Sequence, residues 1–66
     1  MVNWEILVPV LKTDLQNFVD GSISGTALYK LAIKKNVGPE VRQLVRPGVD
    51  RARKLTRMAL RRHSKV

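Results

Sequence analysis

The chain has 66 residues, no cysteine, and thirteen Lys or Arg against five Asp or Glu, for a net charge of +8. That size allows one domain and a thin core, of which roughly 60% of the unfolded surface is buried. Without cysteine there is no disulfide framework and no thiolate zinc site, so stability has to come from dense helix packing or from a partner.

The charge is uneven. Residues 1–29 carry Lys12 against Glu5, Asp14 and Asp20, for −2, and residues 30–66 carry twelve cations against Glu40 and Asp50, for +10, which sum to the +8 of the whole. So steep an asymmetry points to a polyanionic partner for the second half. The bland alternative is a basic solvated surface. No stretch approaches the roughly 18–20 apolar residues of a membrane span. The apolar run 6–11 carries Pro9, has no basic flank before it and no small-residue cleavage site after it. A secretory signal is therefore not expected, and the location expected is cytoplasmic, or with the nucleoid in a bacterium.

Asn3 is placed to cap a first helix from Trp4. Trp4, Leu7, Val8, Leu11, Leu15, Phe18 and Val19 then share a broad apolar face at helical spacing. Pro9 interrupts it, removing a hydrogen bond and crowding the carbonyl of Glu5. Either the helix kinks or restarts there, or residues 1–8 are extended; the apolar period favours the kink or restart. Gly21 suits the left-handed closing position after Asp20. Trp4 and Phe18 could form a stacking platform for single strands, but their place on the apolar face reads first as core.

Residues 22–25 form a loop in which Ser22 or Ser24 can cap a second helix. On that helix Leu28, Leu31 and Ala32 make one stripe. Lys30 and Lys34, four apart, share another face, with Lys35 beyond. They are either a solvated helix face or a pair of phosphate clamps. Tyr29 lies off the apolar stripe, with its hydroxyl available to a phosphate or simply to water.

Asn36, Val37 and Gly38 form a tight corner, and a third helix runs from 39 to about 46. Pro suits a first helical position, and Glu40 suits the positive end of the macrodipole. With Val41, Leu44 and Val45 inside, Glu40, Arg42, Gln43 and Arg46 would be exposed. Arg and Gln match the major-groove edges of guanine and adenine, so Arg42, Gln43 and Arg46 are the candidate base contacts. The alternative is that they hold only phosphates, or nothing.

The stretch TALYKLAIKKNVGPEVRQLV, residues 26–45, resembles the helix-turn-helix DNA-binding proteins. Ala32 falls at the small position of the first helix, Val37 at the buried turn position, and Val45 at a late apolar position. Asn36 stands where Gly is usual, and Arg42 where a buried Ile or Val is usual. The resemblance implies an all-α bundle of three to four helices, duplex DNA as partner and a homodimer. Compact readers of this kind are commonly phage or plasmid regulators or recombination accessory factors.

Arg46-Pro47-Gly48 is a stop. A fourth helix, about 49–62, carries a narrow seam of Val49, Ala52, Leu55 and Ala59, with Met58 at its edge. Arg53, Lys54, Arg57 and Arg61 line another face, flanked by Arg51, Arg62 and Lys65. The seam could dock on the first three helices or on a second copy, so the dimer interface would be the fourth helix or the first. The basic face would follow a phosphate backbone.

His63 has no second His or Cys for a metal, the carboxylates form no close pair, and no Gly-rich phosphate loop is present. Neither catalysis, a cofactor nor a metal is expected. Two alternatives accompany the sequence-reading regulator. One is a duplex RNA or DNA binder that reads shape and phosphates alone. The other is a cationic amphipathic protein for an acidic partner or membrane surface.

Overall fold

In the computed structural model, residues 2–64 are described, and they form an all-α bundle of four helices. These are α1 (Trp4–Val19), α2 (Gly25–Lys34), α3 (Gly38–Val45) and α4 (Val49–Ser64). The main packing partners are α1 with α4 and α2 with α3. α1 also meets α2, and α3 meets α4, so the helices close into a ring with α3 between α2 and α4.

Leu7, Val8, Leu11, Leu15 and Phe18 of α1 are buried, and Trp4 packs half-buried at the edge. The spacing of these residues explains the helix: each turn returns an apolar side chain to one face. Core packing, not base stacking, is thus where Trp4 and Phe18 lie. Pro9 sits inside α1, and the backbone leaves helical geometry at Leu11 (φ −123°, ψ 29°), two residues further on. Leu11 is still buried, so the kink bends the helix without turning its apolar face away.

Asn3 occupies the N-cap position of α1, but its side chain caps nothing. Its backbone carbonyl instead takes the N–H groups of Ile6 and Leu7. Its own N–H donates to Glu40 Oε2 at 2.8 Å. Glu40, expected to be exposed, is half-buried because it clasps the start of α1 onto α3.

Two corners follow the same chemistry. After α1, Gly21 is left-handed (φ 82°), its N–H meets the Phe18 carbonyl and the Ser22 N–H meets Asn17. After α2, Asn36 is left-handed (φ 63°), its N–H meets Ile33 and the Val37 N–H meets Ala32. Both are Schellman closures, which satisfy the last carbonyls of a helix. The second adds the usual apolar contact, since Ala32 and Val37 are both buried. Between these corners, Ser24 rather than Ser22 caps α2, accepting from the Ala27 N–H at 3.1 Å.

α3 begins one residue early, at Gly38, with Pro39 in its first turn. Val41 and Leu44 fill the interior, whereas Val45 is only half-buried. Arg46 before Pro47 keeps helical angles (φ −54°, ψ −44°), contrary to the usual effect of a following proline. The helix stops because Pro47 has no N–H to continue it, and Gly48 turns the chain at φ 120°.

The seam of α4 differs from the expected one. Ala52, Thr56 and Ala59 are buried, Leu55 and Leu60 flank them half-buried, and Val49 and Met58 are exposed. Thr56 enters the core because its hydroxyl donates to the Ala52 carbonyl at 2.7 Å, within its own helix. A buried hydroxyl with a partner avoids the desolvation cost of an orphaned one. The seam docks on α1, and the two helices run antiparallel: Arg53 meets Phe18, while Met58 and Arg62 share a groove with Val2 and Glu5.

Candidate nucleic-acid interface

α2 displays Lys30 and Lys34 on one exposed face, and Lys35, also exposed, is the residue that closes the helix. Arg42 and Gln43 are exposed on α3, and Arg46 is exposed at its C-cap. Val41 and Leu44 point inward, and this turns Arg42 out to solvent. The interior register therefore places Arg42 and Gln43 as exposed neighbours on the outer side of the helix that lies between α2 and α4.

Arg42 lines a shallow cleft with Thr26 and Tyr29 of α2, Val45 of α3 and Val49 of α4. Tyr29 is half-buried there. The cleft exists because α2 starts close against the next two helices. A Cβ built on the buried Gly25 would stand 3.5 Å from Val45 Cγ1 and 3.8 Å from Val49 Cγ2. An apolar floor beside a guanidinium and a phenol hydroxyl suits a sugar or base edge next to a phosphate.

On α4, Lys54, Arg57 and Arg61 are exposed, as are Arg51 and Arg62. Lys54, Arg57 and Arg61 lie away from Ala52, Thr56 and Ala59 on the helix, and Arg51 and Arg62 lie on a flank, so burying the small residues directs the cations outward. Lys65 lies outside the described residues. Arg53 is different. Its Nε donates to the Phe18 carbonyl at 3.0 Å, and its guanidinium carbon lies 5.3 Å from the centroid of the Phe18 ring. It is half-buried and serves the fold.

The bundle thus brings Arg42, Gln43 and Arg46 together on α3 and Lys54, Arg57 and Arg61 together on α4, while Arg53 is drawn inward. One cation that the sequence reading passed over joins the set. Lys12, on α1, lines the same groove as Arg57 and Arg61. The signal for it was faint: Lys12, Thr13, Gln16 and Asn17 make a polar flank on α1, but nothing local says which helix faces that flank.

Among the described residues, no group of three or more His, Cys, Asp or Glu is placed to hold a metal ion, and no helix is long and apolar enough to cross a membrane. The chain matches no family model, no curated protein and no solved structure.

Proposed function

We propose that this chain is a small nucleic-acid-binding protein rather than an enzyme, with duplex DNA as its main partner and α3 as the element that meets the bases. One observation carries the reading. The +10 segment puts Lys30, Lys34, Lys35, Arg42, Arg46, Lys54, Arg57 and Arg61 at the surface. Eight exposed cations against the two carboxylates of that segment, Glu40 and Asp50, give the strongly positive surface that phosphate binding demands.

Base reading is supported by Arg42 and Gln43, which stand exposed and adjacent on a short helix. The proposed roles are a bidentate contact to guanine for Arg42 and to adenine for Gln43. Lys30, Lys34, Lys35 and Arg46 would hold flanking phosphates, and the α4 cations would follow the backbone further along. A transcription regulator or recombination accessory factor is the biological role this arrangement fits, by analogy of size and motif. A two-fold dimer is part of the proposal. It is supported by the outer face of α1, where Ile6 and Val10, four residues apart, stay 48% and 40% exposed.

A second reading is favoured by α4 itself. Its exposed cations outnumber those of α3, so binding by shape and phosphates alone would already give strong attachment. Titration of the chain with random duplex DNA, duplex RNA and genomic fragments, at two salt concentrations, separates the two. Preference for particular fragments that persists at the higher salt supports base reading. Equal, steeply salt-dependent binding to all duplexes supports the second reading. Absence of binding to either duplex in dilute buffer overturns both, and sedimentation with anionic lipid vesicles then tests a membrane surface as the partner.

A further inference from the structure

We infer that Lys12 of α1, together with Arg57 and Arg61 of α4, forms a phosphodiester-binding groove, so that the acidic half of the chain also grips the nucleic acid. This rests on the nucleic-acid reading above and adds a binding site to it.

Lys12 is the one cation in residues 1–29. The antiparallel docking of α1 on α4 brings it into a groove with Arg57 and Arg61. Arg57 and Arg61 are four residues apart on one helix and so project side by side. Cations from two helices thus line one groove, an arrangement that attracts an anion. Among the described residues that line the groove, the three cations stand against one carboxylate, Asp20. Val19 and Leu60 supply apolar wall, and such walls focus the potential of the charges they flank.

The groove on the opposite flank of α4 makes the contrast. There Arg62 faces Glu5, and the remaining lining includes Trp4, Leu55 and Met58. The Lys12 flank is the more cationic of the two. It is an open trough and not a closed cavity, and Thr13, Gln16 and Asn17 along its α1 side add hydrogen-bonding groups. A trough with charges on both walls and neutral donors between suits a backbone passing through, in which phosphates alternate with sugars.

The test uses Lys12→Ala, Lys12→Arg, Arg61→Ala and the Lys12→Ala/Arg61→Ala pair in the full chain. The probe is random-sequence duplex DNA, read as affinity against salt concentration. Lys12 is exposed, so its removal leaves the core intact, and circular dichroism melts check that each variant folds. Lys12→Ala is expected to weaken binding by about threefold to tenfold at low salt. The same change should reduce the slope of log affinity against log salt by about 0.9, the share of one phosphate. Lys12→Arg should restore the slope. The double variant should lose less than the sum of the single losses, because the two cations share a phosphate. If the unaltered chain binds duplex DNA and a folded Lys12→Ala variant keeps its slope, or if the losses simply add, the groove is overturned and the general reading survives. If the unaltered chain binds no duplex, both fall.

Discussion

Arg53 closes the C-terminal end of α1 from another helix: its Nε–H meets the Phe18 carbonyl at 3.0 Å while its guanidinium lies over the Phe18 ring. α1 has no basic residue in its own last turn, so α4 supplies the positive charge that the negative end of the dipole favours. The bond also fixes where α4 sits along α1.

Replacing Arg53 by Ala should therefore cost stability and not merely charge. Loss of a charged hydrogen bond and a ring contact is expected to lower the unfolding free energy by about 2 kcal/mol. Arg53→Lys should recover part of that, because it keeps the charge and loses the planar fork. Urea unfolding followed by circular dichroism measures both. A loss at Arg53→Ala no larger than at exposed Lys54→Ala would refute the role.

Asn36 holds φ at 63° in the corner between α2 and α3. Asn36→Gly should leave stability nearly unchanged, since Gly takes that conformation without steric cost. Asn36→Ala should cost about 1 kcal/mol and Asn36→Val more, since both keep the Cβ that crowds the following carbonyl oxygen and lose the short polar side chain that lets Asn tolerate this conformation. Thermal melts of the three variants should rank in that order.

Thr56 is fully buried, and its hydroxyl is bonded to the Ala52 carbonyl. Thr56→Val should stay within about 1 kcal/mol of the original. It exchanges one internal hydrogen bond for a buried methyl, and the two are similar in size. Thr56→Ser keeps the bond, loses the methyl, and should cost about 1 kcal/mol. A large loss for Val with none for Ser would mean that the hydroxyl, and not the packing, carries this position.

Arg42 and Gln43 distinguish base reading from backbone holding. Arg42→Ala should cost about 1–3 kcal/mol on the preferred DNA site and much less on random duplex. Lys34→Ala should weaken all sequences alike and lower the salt slope by about one. Competition binding between a selected site and random duplex measures the ratio. Equal losses on both DNAs for Arg42→Ala would leave α3 with phosphates only.

Much of the fold was legible in the chain because its helix ends are written in local chemistry. Ser24, Asn36, Gly21 and Pro47-Gly48 each act within a few residues of themselves, and each does in the structure what its residue type favours. The face of α1 was equally plain, since seven apolar residues repeat at one spacing. What stayed hidden depends on contacts between distant segments. Arg53 looks like its cationic neighbours until Phe18 is seen beside it. Thr56 counts as polar until its hydroxyl is seen to be satisfied inside its own helix. The seam of α4 was displaced for that reason, with Val49 and Met58 wrongly counted in. Lys12 gives no local sign of the helix it will face, and the Asn3–Glu40 clasp joins residues 37 apart in the chain.

The pairing of α1 with α4 joins the earliest made of these four helices to the latest. The side of α1 that packs on α4 must wait for α4 to emerge before it is covered, while α2 and α3 can fold on one another as soon as their corner is out. Until α4 is made, the emerging bundle carries an unsheltered greasy strip along α1. Anything that stalls translation between the corner at Pro47 and the end of α4 would leave that strip open to chaperones or to other unfinished copies.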